Sequence, residues 1–154
     1  MEADLGAKDQ GMIMHQNGDM STEFYALGEH WRSDLAFYQD EIRFLKKLMA
    51  GYFHHFLEEL DFNVSRRMEN RLSILDRRRE ALDDKVSRQL HDISQRCYEG
   101  HPMTSKIFRR QEELEELVAF FAKDFRTLKK QIFTLTEDGL SRLQKENDQD
   151  YQGM

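Results

Sequence analysis

Apolar residues recur along most of the chain at alternating intervals of four and three positions. Three such stripes are present. The first consists of positions 24, 28, 31, 35, 38, 42, 45, 49, 52 and 56, the second of 68, 72, 75, 79, 82, 86, 89 and 93, and the third of 107, 111, 114, 118, 121, 125, 128, 132, 135 and 139. Glycine or a polar residue occupies positions 28, 79, 89, 111 and 139. This spacing is the a/d pattern of a helix that packs along one side in a coiled coil or a bundle. The pattern predicts three long helices, at about 22–60, 64–99 and 104–146.

Local signals support most of these boundaries. Gly100, followed by His101 and Pro102, is a clear helix stop, because glycine takes the left-handed conformation that ends a helix and proline cannot continue one. Thr104 or Ser105 is suited to cap the third helix, and Ser21 or Thr22 the first.

The first break is less sharply marked. Residues 61–65 (DFNVS) are middling or poor helix formers, which favours a turn there. However, apolar residues at 56, 60, 64, 68 and 72 recur every four positions, so one continuous helix through this region stays open.

With both turns in place, the prediction is an all-α protein: a long antiparallel three-helix bundle, or coiled coil, spanning residues 22–146. Residues 1–21 and 147–154 are polar and aperiodic, and we expect disordered tails there. Antiparallel pairing places Asp124 level with Arg79, and separately places Gln89 and Gln111 within about a turn of each other; polar residues so placed at the core would fix the register of the helices. This polar layer consists of Arg79, Asp124, Gln89 and Gln111. For Arg79 the favoured interpretation is instead that its side chain reaches out to solvent.

Composition narrows the class of protein. Charged residues make up 34% of the chain and there is one proline, as in long helices. A single cysteine, Cys97, permits no intrachain disulfide and suits a reducing compartment; its place beside the second stripe predicts a buried, inert thiol. No secretory signal or membrane-spanning run is evident, so we expect a soluble, cytoplasmic protein.

The stretch GYFHHFLEEL at 51–60 is the strongest hint of chemistry. His54 and Glu58, like His55 and Glu59, are four apart and share a helix face, so they could contribute to a transition-metal site in a bundle. The stripe places His54 outermost, and no other histidine falls at the same level. Surface pairs are therefore the favoured interpretation, with a metal-binding bundle as the alternative. No cofactor and no catalytic residue are predicted.

Arginine runs at 66–67, 77–79 and 109–110 raise the possibility of nucleic-acid binding. Acidic residues flank them, including Asp76, Glu80, Glu112 and Glu113, and the whole chain has a formal charge of −6. Mixed signs along a helix are typical of a solvated, salt-bridged face. The sequence thus argues against a nucleic-acid partner.

Aromatic residues remain after the stripes are filled. Phe37 and Phe44 are seven apart and each precedes a stripe position, so they align on one side of the first helix. A surplus of this kind predicts an interface rather than core. The predicted interface residues are Phe37, Phe44, Phe53, Phe108 and Phe120. The sequence therefore predicts a non-enzymatic oligomerisation or protein-interaction module, whose partner is a second copy (a homodimer) or a helix of another protein.

Overall fold

Three helices form the protein in a computed structural model: α1 (Glu2–His55), α2 (Glu59–Glu99) and α3 (Ser105–Gln152). The structure describes the backbone of residues 2–55 and 59–153 and the side chains of residues 20–52 and 62–153. No strand occurs in these ranges, and the helices pack against one another. The predicted all-α, three-helix bundle is confirmed.

The packing divides into two units, each of which contains a segment of all three helices. The first unit comprises the chain through Ala36 together with Glu80–Ala119, and the second comprises Phe37–Arg79 together with the chain from Phe120 onward. Every helix therefore continues from one unit into the other.

In the second unit, α1 and α3 run parallel. The ring of Tyr38 packs edge-on against Phe121, with 5.2 Å between ring centroids. Fourteen residues later in α1, Tyr52 lies over Gly139, where a Cβ atom would approach the tyrosine ring to 2.5 Å. A later residue of α1 thus contacts a later residue of α3, which means that the two helices point in the same direction in this unit.

In the same unit, α2 runs antiparallel to the other two helices. Arg71 donates a hydrogen bond to Gln131 at 3.1 Å, whereas Arg78, further along α2, pairs with the earlier Asp124 of α3 at 2.7 Å. The order up, down and up is the one predicted from the two turns.

Stripe residues form the core in both units. Five of the described ones, Phe24, Tyr38, Met68, Val118 and Leu135, are half-buried, and all the others are buried. Two stripe positions carry no side chain: Gly28 is covered by Leu90, and Gly139 by Tyr52. The interval pattern therefore fixes which face of each helix is turned inward.

The connection from α2 to α3 is a short, well-capped turn. Gly100 has a φ of +69°, and the amide of His101 donates to the carbonyl of Arg96 at 2.9 Å. The Thr104 hydroxyl then accepts a hydrogen bond from the amide of Ile107 at 3.3 Å. These contacts supply hydrogen-bond partners for backbone groups that have none within the helix, at the end of α2 and at the start of α3, as the sequence predicts.

The second helix begins earlier than predicted. α1 ends at His55 and α2 begins at Glu59, while residues 56–58 lie outside the described part of the chain. The turn predicted at 61–65 is wrong, because these residues are helical in α2. Ser65 is 1% exposed and extends the second stripe by one interval before Met68. The stripe thus continues through this segment, and the tertiary context of α2 overrides its weak helix propensity.

α1 and α3 also reach into the segments predicted as disordered tails. α1 begins at Glu2 and α3 continues to Gln152, and residues 141–153 are all exposed. Extending an existing helix adds one hydrogen bond for each residue fixed, so a helix can continue past the packed region where no strong stop signal intervenes.

Candidate interaction surface

Two phenylalanines on α1 stand out from the surface of the second unit. The exposed fractions of Phe37 and Phe44 are 60% and 56%. Each directly precedes a stripe residue, and their spacing of seven places them two turns apart on one flank of the helix. Because their helix neighbours face the core, these rings are directed sideways rather than inward.

An ion pair identifies the flank on which these rings lie. Glu41 stands between Phe37 and Phe44 on α1 and pairs with Lys129 of α3 at 2.9 Å. The ammonium of Lys129 is also 5.9 Å from the centroid of the Phe125 ring. Phe37 and Phe44 therefore lie along the α3-facing side of α1, with the charge of the intervening glutamate already compensated.

Phe120 is exposed on a different side of the second unit. It is 52% exposed and lies one turn before Asp124, which pairs with Arg78 of α2. Phe120 therefore lies on the side of α3 that is next to α2. Phe37 and Phe44 lie instead where α1 and α3 meet. Ile74 of α2, 54% exposed, borders this second surface and was not singled out by the sequence.

Phe108, another predicted interface residue, packs against other residues of its own chain. It is half-buried, and its ring meets that of Phe24 edge-on at 5.5 Å, against the core cluster of Ile93, Met103 and Ile107. Intrachain packing in the first unit accounts for this residue. The Phe53 side chain lies outside the described residues, and its interface role stays a prediction.

Gln89 and Gln111 meet in the core of the first unit. The amide nitrogen of Gln89 donates to the side-chain oxygen of Gln111 at 3.2 Å and to the carbonyl of Ile107 at 2.9 Å. Both residues are buried, and the other amide atoms of the pair, Oε1 of Gln89 and Nε2 of Gln111, have no hydrogen-bond partner. The pair is thus a partly satisfied polar layer.

Arg79 is buried in the second unit rather than reaching into solvent. Its residue exposure is 8%, and Nε donates to Asp76 at 2.9 Å. Asp76 also lies 3.8 Å from Lys46, while Asp124 is paired with Arg78. The sequence places Arg79 at the correct level, but its partner is on its own helix and not on α3.

Replacing Arg79 by leucine is expected to keep or raise stability. Leucine fills the stripe position without desolvating a charge, and Asp76 keeps Lys46 as a partner. Removing one partner of an ion pair is costly when it leaves the other charge buried and unpaired, but Asp76 is 35% exposed and keeps Lys46, so that cost is avoided here. Urea denaturation of Arg79→Leu measures this change, with Arg77→Leu as an exposed control in the same run. A loss of several kcal/mol specific to Arg79→Leu would show that the charge is required.

The metal hypothesis rests on side chains that the structure does not describe, since those of His54, His55, Glu58 and Glu59 all lie outside its described residues. Among the side chains that are described, no group of three or more His, Cys, Asp and Glu could hold a metal ion. His30 and His101 have carboxylate neighbours, Asp34 at 3.4 Å and Glu99 at 3.6 Å, on exposed surface.

Cys97 is exposed, which corrects the predicted buried thiol. It occurs one interval after Ile93, in the last turn of α2, where the helix ends two residues later. The stripe position is thus present without the surrounding packing that would bury it.

The arginine runs take part in cross-helix ion pairs. Arg78 binds Asp124 at 2.7 Å, and Arg110 binds Asp92 at 2.8 Å. These pairs match the salt-bridged face that the mixed charges predict.

None of the described helices is both long enough and apolar enough to cross a membrane.

Comparison with known proteins finds no relative of this chain. No family model, curated protein or solved structure matches the chain.

Proposed function

We propose that the protein is a non-enzymatic oligomerisation module that forms a homodimer through Phe37 and Phe44 of α1. The observation that carries this proposal is the exposure of two phenylalanines, 60% and 56%, one heptad apart on a single helix flank. Exposed aromatic side chains that share one side of a helix favour association, since burying them removes apolar surface from water.

Self-pairing suits this flank. If two copies of α1 cross antiparallel about a two-fold axis between Asp40 and Glu41, Phe37 of one copy faces Phe44 of the second, and the contact is repeated by symmetry. Like charges at the axis are compensated within each chain: Glu41 by Lys129 at 2.9 Å, and Asp40 by Arg43 at 3.7 Å. A single pair of phenylalanines therefore supplies both halves of the interface.

The expected affinity is modest. Since each ring already has part of its surface covered, burying the remainder yields roughly 1–2 kcal/mol per ring, or about 4–8 kcal/mol for the four rings of a dimer. Association costs on the order of 4–15 kcal/mol in lost freedom. The rings therefore need support from the apolar surface beside them, and with that support we expect a dissociation constant no tighter than micromolar.

The test is the double substitution Phe37→Glu with Phe44→Glu. Carboxylates opposed across the two-fold axis would repel one another, so the variant is expected to be monomeric at concentrations where the wild type is dimeric. Mass is measured by light scattering in about 0.5 M salt, which screens contacts that depend on charge alone.

A matched control comes from the same helix. Tyr25 and Leu27, 41% and 38% exposed, lie in the first unit, and Tyr25→Glu with Leu27→Glu makes the same change of charge. The control is expected to keep the dimer, and circular dichroism checks that both variants stay helical. If the Phe37/Phe44 variant has the wild-type mass, the proposed interface is refuted.

A further inference from the structure

α2 and α3 of the second unit border a groove of about 270 Å³. Its floor is apolar, formed by the buried side chains of Leu75 and Leu128. Ile74 lies at its edge with 54% of its surface exposed, and Phe120, one turn before the groove residue Asp124, extends the apolar strip along α3. The groove is thus an unfilled apolar surface, separate from Phe37 and Phe44.

The rim of the groove is basic, although the chain as a whole is acidic. Arg71 and Arg78 line it, and Arg67, Lys123 and Lys130 lie within one turn of lining residues on the same sides of their helices. Asp124, paired with Arg78, is the acidic residue that lines it. Within the described part of the chain, Arg67, Lys123 and Lys130 have no ion-pair partner. Such a rim attracts a negatively charged occupant.

The last described part of α3 has the complementary character. We call residues 137–153 the acidic segment: it carries five acidic side chains (Glu137, Asp138, Glu146, Asp148, Asp150) against two basic ones (Arg142, Lys145). Its large apolar residues Leu140, Leu143 and Tyr151 are 62%, 37% and 90% exposed. Leu140, Leu143 and Tyr151 fall on one side of the helix, at intervals of three and eight. It is an amphipathic helix whose apolar side is largely exposed.

We propose that the acidic segment of one copy docks in the basic groove of a second copy. A chain cannot fill its own groove, because α3 is one continuous helix from Ser105 to Gln152 that supplies both the groove wall and the segment. Groove-to-groove contact would oppose arginines to arginines. The segment instead brings leucines to Ile74 and Phe120, and carboxylates to the rim, in the helix-in-groove mode of recognition.

This contact joins two different surfaces and is independent of the proposed Phe37/Phe44 dimer. A contact between different surfaces adds further copies instead of closing on itself, unless the rotation between copies closes a ring. Because the rim and segment charges are exposed, the contact weakens as salt screens them. The wild-type chain is therefore expected to have a larger mass in low salt than in high salt, where the Phe37/Phe44 contact alone sets the mass.

The first test is light scattering of the full chain in about 20 mM and about 0.5 M salt. A variant that ends after Gly139 removes Leu140, Leu143 and Tyr151 together with the acidic side chains at 146, 148 and 150, without loss of core. It is expected to have, in both salts, the mass that the wild type has in high salt, with unchanged thermal unfolding. Low-salt assembly that survives this truncation would overturn the proposal. A wild type with the same mass in both salts would overturn it as well, and would leave the Phe37/Phe44 dimer intact.

Charge exchange makes the test specific to the two surfaces. Arg67→Glu with Arg71→Glu is expected to abolish the low-salt assembly, whereas Arg88→Glu with Arg109→Glu, the same charge change in the first unit, is expected to preserve it. Mixing the Arg67/Arg71 variant with a second chain carrying Asp148→Lys and Asp150→Lys should restore assembly beyond a dimer. Failure of this mixture to assemble would contradict the assignment of the segment as the occupant.

Discussion

Replacing Phe121 by alanine is expected to lower the free energy of unfolding by about 3–5 kcal/mol, the range for phenylalanine truncated in a packed core. Phe121 is 1% exposed, its ring packs on Tyr38 at 5.2 Å, and the guanidinium of Arg78 lies 6.0 Å from the ring centroid. Alanine would leave a cavity between α1 and α3 and remove all of these contacts.

The neighbouring phenylalanine provides the control. Phe120 is 52% exposed, so Phe120→Ala is expected to change the free energy of unfolding by no more than about 0.5–1 kcal/mol. Urea denaturation of both variants in high salt measures the two changes under identical conditions. Equal costs at the two positions would show that the stripe is misregistered and that Phe120 is not surplus to the core.

The second large effect is expected at the buried glutamine pair. Gln89→Leu removes the donor to Gln111 and leaves that amide buried without a partner, which costs about 1–3 kcal/mol. The double variant, Gln89→Leu with Gln111→Leu, replaces both amides by apolar side chains and is expected to be at least as stable as either single variant. The buried atoms that already lack partners, Oε1 of Gln89 and Nε2 of Gln111, are lost as well.

A double-mutant cycle at positions 89 and 111 gives the coupling directly. We expect the sum of the two single costs to exceed the cost of the double variant by more than about 1 kcal/mol. Gln89→Leu leaves the Gln111 amide with no partner, and Gln111→Leu leaves Nε2 of Gln89 with the Ile107 carbonyl alone. Costs that simply add would mean that the hydrogen bond contributes nothing to the folded state.

The stripe pattern predicts the core well because one physical constraint dominates it. A side chain at intervals of three and four must face the neighbouring helices, whichever residue it is. This holds even for the polar Gln89 and Arg79, which are 2% and 8% exposed. The alternating direction of the three helices follows from the two connections that join them.

The differences between the predictions and the structure come from effects that the spacing of apolar residues does not report. α2 includes residues 61–65 because tertiary context overrides their poor helix propensity, and Cys97 is exposed because its helix ends two residues later. The partner of Arg79 was decided by a neighbour three residues away, Asp76, which was within reach without crossing to α3.

The sequence predicts the candidate surfaces only in part. Surplus aromatics at positions 37, 44 and 120 were visible in the sequence, and their exposure in the structure is high. Their separation onto two sides of the second unit required the ion pairs Glu41–Lys129 and Arg78–Asp124. Ile74 could have been noticed as an apolar residue between Arg71 and Arg78 on one helix side.

The most direct test of self-association is the mass of the wild-type chain as a function of concentration, measured by light scattering in about 0.5 M salt, with metal content determined on the same sample. The proposed module is expected to be a metal-free dimer at high micromolar concentration and to dissociate on dilution. A particle that stays at the 18.5 kDa of a single chain throughout, or one that retains stoichiometric metal, would contradict it.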